Sequence, residues 1–346
     1  MQNPFTTTFS KLPEFTYIET KQSDEILENF NYDVPTESVY KITGVRGSGK
    51  TVLLAKIEEE LIQRDWIVID VSPNRDILFQ IASKLQSQGY KYDGAKDRNI
   101  SFSFSILGTG GGFGYADNNK NVDIGTIIDK QLEKVKSQNR KVLIGIDEVS
   151  KNDNMISFSF EFGRWLRMGL PVYVVCTGLY ENIEELSNVK NLTFFRRATT
   201  IKTEPLDFIK MSGVYKNKLN IEMEEAKQMA KLTKGYAYAF QLLGMLLFKE
   251  KGVTSEITDK LKYELFSYSY QKIWKELSEN DRLLIKTIIN KDEYKREEVL
   301  KLLGSKASIY SVYRDRLFKR GLINTRNSYI SLALPFFSDY VKEYCM

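Results

Sequence analysis

The glycine-rich segment that organises this chain is Gly44-Val45-Arg46-Gly47-Ser48-Gly49-Lys50-Thr51. It matches the pattern G-x-x-x-x-G-K-[ST] and lies between a short apolar run, residues 39–43, and a stretch with apolar residues at helical spacing, residues 51–63. Glycines allow the backbone to wrap closely around an anion, and the amides that open a helix point toward it. The segment therefore predicts a strand, a phosphate-binding loop and a helix, in that order.

Each polar residue of this loop has a defined task in a nucleotide site. Lys50 would reach the β- and γ-phosphates of ATP, and the Thr51 hydroxyl would bind Mg²⁺. The nucleotide-binding residues predicted from this segment are Gly44, Arg46, Gly47, Ser48, Gly49, Lys50, Thr51 and Val52.

A second apolar run, residues 142–146, ends in two acids, Asp147 and Glu148. Ligands of open α/β sheets bind beyond the carboxyl ends of the strands, so these acids are expected beside the phosphate loop. Asp147 is predicted to hold Mg²⁺, and Glu148 to orient and polarise the attacking water. An isolated acid pair after a strand is commonly only solvated, but its combination with the loop favours the functional interpretation.

Composition excludes several other classes of enzyme. The 346 residues include no histidine, which rules out a Ser-His-Asp triad, a Cys-His dyad and a His-ligated zinc site. The two cysteines, Cys176 and Cys345, are far apart in sequence and do not suggest a disulfide framework. Because neither a secretion signal nor a membrane-spanning run is evident, we expect a cytoplasmic protein.

The order of the patterns predicts an α/β fold with further domains. Strand-like and helix-like segments alternate up to about residue 204, which indicates a mostly parallel sheet with right-handed crossovers. We predict an N-terminal arm and helix at 1–38, a P-loop ATPase core at 39–204, a helical lid at 205–277 and a winged helix-turn-helix at 278–346. Residues 101–114, which alternate serine with apolar residues and then become glycine-rich, predict a flexible hairpin or surface loop, or else a loop that touches DNA or a neighbouring subunit.

The C-terminal part is locally basic. Between residues 300 and 330 there are seven lysines and arginines and one acid, Asp315, although the whole chain has a net charge of only +5. A basic recognition helix and wing are typical of duplex binding. A winged helix that binds protein, with its cations merely solvated, is the alternative. The predicted DNA contacts are Lys306, Ser308, Arg314, Arg316, Lys319, Arg320 and Arg326.

With these motifs the chain resembles the AAA+ superfamily, and within it the origin-recognition-type initiator ATPases and the related bacterial and archaeal "AAA ATPase domain" proteins. The resemblance rests on residues 39–51, 144–149, 171–179 and 234–244. It implies a P-loop core with a lid and a C-terminal winged helix, the cofactors ATP and Mg²⁺, and hydrolysis of ATP.

The resemblance also implies roles for single residues. Thr177 corresponds to sensor 1, which reads the γ-phosphate or the attacking water; a hydroxyl that only caps a turn is the alternative. Arg196 and Arg197 stand where relatives place an arginine finger for a neighbouring subunit, although a solvated basic pair has the same pattern. Tyr17 and Ile18 align with the segment that lines the adenine pocket.

One departure from the family leaves a second function open. The lid stretch 234–244 lacks the usual sensor 2 arginine, and its nearest cation is Lys234. We therefore predict a slow ATPase that couples its nucleotide state to DNA binding through the winged helix. The alternatives are a nucleotide switch resembling the STAND-type signalling ATPases, with a protein-binding last domain, and a helper ATPase of a mobile element or a defence system.

Overall fold

The computed structural model describes the chain in five stretches, which are residues 2–8, 12–92, 123–190, 192–249 and 254–346. The segment for which the sequence predicts a hairpin or surface loop, residues 101–114, lies outside them. Across the five stretches no helix is both long and apolar enough to cross a membrane.

A parallel five-stranded sheet forms the centre of the first half of the chain. Its strands are β1 (Val39–Thr43), β2 (Ile67–Val71), β3 (Val142–Ile146), β4 (Val172–Gly178) and β5 (Thr199–Lys202). They lie in the order β2-β3-β4-β1-β5. Because β4 lies between β1 and β3, the carboxyl ends of these three strands meet at one edge, where the phosphate loop and the two acids follow them.

Helices cover both faces of this sheet, and separate clusters of buried apolar side chains fill the two interfaces. They are α1 (Lys21–Asn31), α2 (Lys50–Gln63), α3 (Ile77–Ser87), α4 (Ile124–Ser137), α5 (Asp153–Arg167), α6 (Tyr180–Ser187) and α7 (Thr193–Arg197). Residues 157–162 of α5 alternate like a strand in sequence. They form a helix because Asn152 caps its start and Met155, Phe158 and Phe162 bury one helical face.

In its described residues the part predicted as a lid contains helices and the turns between them. It contains α8 (Phe208–Leu219), α9 (Met223–Thr233), α10 (Ala237–Lys249), α11 (Ser255–Leu265), a π-helical turn (Phe266–Tyr270) and α12 (Gln271–Lys275). The sequence predicts helices here, but it gives no sign of the π turn, since the same side chains fit an α-helix.

The last part has the order of elements of a winged helix, followed by one further helix. It contains α13 (Glu279–Thr287), β6 (Tyr294–Lys295), α14 (Arg296–Leu303), a 3-10 turn (Gly304–Ile309), α15 (Tyr310–Arg320), β7 (Ile323–Arg326), β8 (Tyr329–Leu332) and α16 (Phe337–Tyr344). The three strands form an antiparallel sheet in the order β6-β8-β7. The two-residue strand β6 is absent from the sequence prediction because it is too short to show an alternating pattern.

The lid and the winged helix pack through one continuous cluster of buried apolar residues, which runs from Met211 in α8 to Val341 in α16. Tyr270 of the π turn is fully buried within it, and its hydroxyl donates to the carbonyl oxygen of Pro335. The predicted boundary at residue 277 therefore lies between elements but does not separate two cores. We expect the two parts to move together relative to the sheet.

Candidate nucleotide site

The loop between β1 and α2 requires glycine at two positions. Gly47 and Gly49 have φ angles of 72° and 92°, in the left-handed region that side chains disfavour. A β-carbon on Gly47 would also lie 2.3 Å from the hydroxyl oxygen of Tyr236 in the lid. The loop backbone and the lid thus approach each other too closely for any larger residue.

Lys50, the first residue of α2, extends its amine back across the loop. The Nζ atom donates to the carbonyl oxygens of Gly44 at 3.0 Å and Val45 at 3.1 Å. Burial lowers the pKa of Lys50 to about 8, against a weaker opposing effect of the charges on Asp147 and Glu148. A half-buried cation held by neutral carbonyls is well suited to an incoming anion, so the loop fits a phosphate group.

The Thr51 hydroxyl and the Asp147 carboxylate lie side by side at the ends of α2 and β3. Thr51 Oγ1 donates to Asp147 Oδ2 at 2.9 Å. Both are hard oxygen ligands of the kind that Mg²⁺ prefers. The described stretches hold no group of three or more His, Cys, Asp or Glu side chains that could bind a metal ion unaided. Mg²⁺ bound to this pair would therefore take its other ligands from water and phosphate, as Mg²⁺ commonly does with nucleotides.

Thr177 holds both acids in place from β4. Its side chain is fully buried, and its hydroxyl donates to Asp147 Oδ1 and accepts the backbone N–H of Glu148 at 3.1 Å. Glu148 has a φ angle of 54°, which is unfavourable for a residue other than glycine and costs on the order of 1 kcal/mol. The hydroxyl that the family resemblance assigns to a nucleotide sensor is thus engaged with the two acids, and Thr177 does not line the cavity described next.

A cavity of about 800 Å³ extends from the phosphate loop to the N-terminal arm and the lid. Asp147 and Glu148 line its phosphate end, and Tyr17 and Ile18 line it from the arm, together with Ser48 and the rest of the loop. Such a volume accommodates a small-molecule ligand of ordinary size. The structure thus brings together in one cavity the phosphate loop, the two acids and the two residues suggested for an adenine pocket.

The lid makes direct hydrogen bonds to the phosphate loop. The Tyr236 hydroxyl donates to the Arg46 carbonyl oxygen at 2.6 Å and lies 2.8 Å from the Ser269 hydroxyl, and the backbone N–H of Tyr238 donates to the Gly47 carbonyl oxygen at 3.0 Å. Burial raises the pKa of Tyr236, which therefore stays a neutral donor. Two tyrosines of the lid stretch 234–244 thus contact the phosphate loop directly.

Two cations that the sequence connects with the nucleotide are engaged elsewhere. The Arg46 guanidinium forms an ion pair with Glu276, with Nη2 2.8 Å from Oε1. Lys234 donates to the Leu332 carbonyl oxygen of the winged helix at 3.4 Å and is not part of the cavity lining. In the described structure, therefore, neither the Lys234 amine nor the Arg46 guanidinium is free to bind an anion at the phosphate loop.

Arg196 and Arg197 lie at the end of α7 with exposed side chains. Neither lines the cavity of its own chain. Their suggested action on a neighbouring subunit stays a prediction.

The residues proposed for DNA contact divide into two groups. Lys306, Ser308 and Arg326 are exposed, and Arg314 is half-buried and forms no ion pair within the described residues.

The other group consists of cations that are paired with acids. Arg316 donates through Nε to Asp281 Oδ1 at 2.9 Å, and Asp281 is fully buried. Arg320 pairs with Glu181 of α6. Arg316 and Arg320 therefore serve internal packing in this structure, whereas Lys319 is exposed and pairs with Asp315 on the surface of α15 at 2.9 Å.

Sequence reasoning missed the part of the cavity that comes from distant elements. The missed lining residues follow β2, β4 and β5 or belong to the lid, and they include Asp70, Asn74, Asn182, Thr203, Glu204, Tyr268 and Lys272. Those after β2 and β5 could have been found from the rule that parallel strands direct their carboxyl ends to one edge. The lid residues carry no local motif.

The fold has a parallel α/β core with a P-loop, a helical lid and a C-terminal winged helix, and solved structures share it. A Walker-type ATPase of Pyrococcus abyssi is similar with a TM-score of 0.60 at 13% identity, over 93% of this chain and 95% of that one. The ORC2 protein of Aeropyrum pernix, solved as ADPNP–ADP complexes, is similar with a TM-score of 0.52 at 13% identity, over 93% and 91% of the two chains. No protein-family model and no curated protein sequence matches the chain.

Proposed function

We propose that this protein binds ATP with Mg²⁺ in the cavity described above and hydrolyses it, with the winged helix responding to the nucleotide. The single observation that carries the proposal is the meeting of Lys50, Thr51 and Asp147 at the phosphate loop of one cavity. The Aeropyrum pernix ORC2 protein, which shares the fold, was solved with ADPNP and ADP, and this supports a nucleotide as the ligand.

The loop residues bind and orient the nucleotide in this proposal. The amides from Gly47 to Thr51 cradle the phosphates at the start of α2, and Lys50 gives up its two carbonyl contacts to bind them. Thr51 and Asp147 would hold Mg²⁺, which when bound neutralises phosphate charge. Tyr17 and Ile18 of the arm would pack against the base.

Glu148 is the residue proposed to orient and polarise the attacking water. It lines the cavity, its side chain is exposed, and its backbone is fixed in an unfavourable conformation by Thr177. We assign Thr177 a positioning role, since its hydroxyl bonds to both acids at once. Arg196 and Arg197 remain the proposed finger of a neighbouring subunit in a homo-oligomer.

A chain of contacts connects the phosphate loop with the recognition helix. Arg46 pairs with Glu276, the carbonyl oxygen of Glu276 accepts from Arg320 at 3.3 Å, and Arg320 pairs with Glu181 of α6. Lys202, at the end of β5, donates to the Phe318 carbonyl oxygen and lies 4.0 Å from the centre of the Phe318 ring. A change at the loop on nucleotide binding would therefore shift α15 relative to the core.

The proposed partner of the winged helix is double-stranded DNA, and the residues proposed to contact it are Lys306, Ser308, Arg314 and Arg326. Lysine and arginine side chains at such positions neutralise phosphates, which makes binding depend on salt. Lys319, which is exposed but paired with Asp315, would join them only after that surface ion pair opens.

The internal pairing of Arg316 and Arg320 favours a second candidate, a nucleotide switch that binds a protein. A recognition helix held on the core by Arg320 and Lys202 is what a closed switch requires. Slow turnover with tightly bound ADP, and no binding of duplex DNA, would select this candidate. A helper ATPase of a mobile element or a defence system is compatible with either partner.

The test is steady-state ATP hydrolysis by the full chain and by Lys50→Ala, with and without duplex DNA at low and physiological salt. We expect turnover that Lys50→Ala abolishes and that DNA alters at low salt. Equal activity in the two proteins would refute the proposed site. Turnover that requires Lys50 but is unchanged by DNA in every buffer would favour the nucleotide switch as the function instead.

A further inference from the structure

Lys272 is a positively charged residue of the cavity lining that takes no part in the contacts described above. The cavity lining of the described residues contains three cations, Arg46, Lys50 and Lys272. Arg46 is paired with Glu276, and Lys50 lies against the loop carbonyls. Lys272 is exposed on α12, and within the described stretches its amine has neither an ion pair nor a hydrogen bond.

The neighbours of Lys272 along the helix contact the phosphate loop or its partners. Lys272 and Glu276 are four residues apart and share one face, and Ser269 precedes them in the π turn. Ser269 is hydrogen bonded to Tyr236, whose hydroxyl donates to the loop carbonyl of Arg46, and Glu276 is paired with the Arg46 guanidinium. Lys272 lies between these two anchors in sequence and lines the same cavity as the phosphate loop.

The π turn at Phe266–Tyr270 produces this arrangement. One wide turn changes the rotational register of the residues that follow it, and such turns are frequent at functional sites. Here Tyr270 is buried in the core shared with the winged helix, whereas Ser269 and Tyr268 line the cavity. The turn thus allows one helix to fill the core and to present Lys272 to the cavity.

The charges of the site leave a place for a further cation. A triphosphate carries several negative charges, and Glu276 already neutralises Arg46. On the core side Lys50 faces the acids Asp147 and Glu148, which reduce its net effect. A phosphate oxygen on the lid side of the loop would have Lys272 as its charged donor.

We propose that Lys272 binds the phosphate groups of the nucleotide from the lid side, opposite Lys50. The inference rests on the proposed function of the same cavity. Through Lys272, α12 would be the part of the lid whose contacts depend directly on how many phosphates the nucleotide carries. Because α12 also carries Glu276, the same short helix would connect the nucleotide with Arg320 and the winged helix.

The experiment compares binding of MgATP, MgADP and AMP to the full chain by calorimetry. The variants are Lys272→Met, which keeps the apolar stem, Lys272→Ala and Lys272→Arg. Lys275→Ala is the matched control, since Lys275 is an exposed lysine of the same helix outside the cavity lining. We expect the Kd for MgATP to rise about tenfold or more in Lys272→Met and Lys272→Ala, as for loss of a charged hydrogen bond.

Binding of AMP, which lacks the outer phosphates, should stay within about twofold of wild type, and Lys272→Arg should restore most of the affinity for MgATP. An unchanged Kd for MgATP in both charge-removing variants would overturn the inference while leaving the proposed function intact. Equal weakening of MgATP and AMP would also overturn it, because that pattern reports a displaced helix. A wild-type chain that binds no nucleotide would instead refute the proposed function itself, and the role of Lys272 with it.

Discussion

Arg46 of the phosphate loop and Glu276 at the end of the lid form an ion pair in which both the Nε and Nη2 atoms of the arginine donate to the same carboxylate oxygen, at 3.0 Å and 2.8 Å. The two residues are 230 positions apart in sequence. Because Arg46 lies within the loop that would hold the phosphates, the proposed function predicts that the junction of lid and winged helix responds to the occupant of the cavity.

Neutralising this pair should uncouple the nucleotide from DNA with little effect on stability. The side chains are 35% and 38% exposed, so the pair contributes below about 1 kcal/mol to folding. In Glu276→Gln we expect the ratio of DNA affinities with ATP and ADP to fall toward one, measured by fluorescence anisotropy. Glu279→Gln, an exposed acid nearby, is the control. A ratio that Glu276→Gln leaves unaltered would contradict the coupling.

Removing the Thr177 hydroxyl should impair turnover more than binding. Thr177→Val keeps the shape of the side chain but leaves Asp147 and the Glu148 N–H without their shared partner. We expect kcat to fall about 10- to 100-fold, as for other supporting hydrogen bonds, and the Kd for ATP to change much less. Thr177→Ser retains the hydroxyl and should stay near wild type. A Thr177→Val protein with wild-type kcat would show that the two acids do not need this support.

The depressed pKa of Lys50 predicts an alkaline loss of nucleotide affinity. Without nucleotide, Lys50 loses its proton as the pH rises through about 8 instead of its ordinary 10.5, whereas bound phosphate favours the charged form. The Kd for ATP should therefore increase above pH 8 by up to about tenfold per pH unit, with proton uptake on binding. Calorimetry in buffers of different ionisation enthalpy measures both quantities.

The same shift has the opposite sign for the stability of the nucleotide-free chain. Between about pH 8 and 10.5 the unfolded state binds more protons at Lys50 than the folded state, so this residue makes the free energy of unfolding rise with pH. Lys50→Met, which does not titrate, is the control for both effects. An alkaline loss of affinity as large in Lys50→Met as in wild type would assign it to another group.

A β-carbon at Gly244 should detach the N-terminal arm from the lid. It would lie 2.3 Å from Cδ1 of Phe5, which is buried against α10. Gln241 also holds the arm, since its side-chain oxygen accepts from the Thr6 N–H and the Thr16 hydroxyl, each at 3.1 Å. Gly244→Ala should cost about 1–3 kcal/mol in urea unfolding and weaken ATP binding, because the arm carries the proposed base contacts.

The matched control for this prediction is Gly213→Ala in α8. No atom lies within 4 Å of a β-carbon at Gly213, so alanine there should be neutral or should stabilise the helix by about 0.5–1 kcal/mol. Equal unfolding free energies for the two variants would show that the arm does not pack as described.

Two arginines of α15 should give opposite phenotypes. Arg316→Ala leaves the fully buried Asp281 without its close partner and should destabilise the fold by about 2–3 kcal/mol. Arg314→Ala should leave stability nearly unchanged and weaken duplex binding, with the slope of log affinity against log salt reduced by about one. Chemical unfolding and salt-dependent anisotropy measure the two effects. A stable Arg316→Ala protein with lost DNA binding would reverse our assignment.

The phosphate-loop end of the candidate site was predictable because its sequence pattern is local. Eight consecutive residues carry the phosphate loop, and a strand followed at once by two acids carries its partner, so the strand–loop–helix context could be read without knowledge of distant contacts. The parallel arrangement of the strands was predicted from the alternation of strands and helices, although their order in the sheet was not. The apolar runs 39–43 and 142–146 form β1 and β3.

The inward turn of the recognition helix could not be predicted, since it depends on a partner far away in the chain. Arg316 and Arg314 have the same charge and neighbouring positions in sequence, but the helix directs only Arg316 toward the buried Asp281. A count of cations treats them as equal. Burial of one carboxylate, which must be compensated, decides which arginine stays available.

The sequence by itself thus determined the strand, loop and helix that would bind phosphate, the acids that would accompany them, and the succession of α/β core, helical lid and winged helix. Only the tertiary structure decided that Arg46 is occupied by Glu276, that Thr177 supports both acids and that Lys272 faces the cavity. The physical reason is that backbone propensities and apolar periodicity act over a few residues. Ion pairs and cavities, in contrast, form between surfaces that are brought together only when the separate hydrophobic cores have packed.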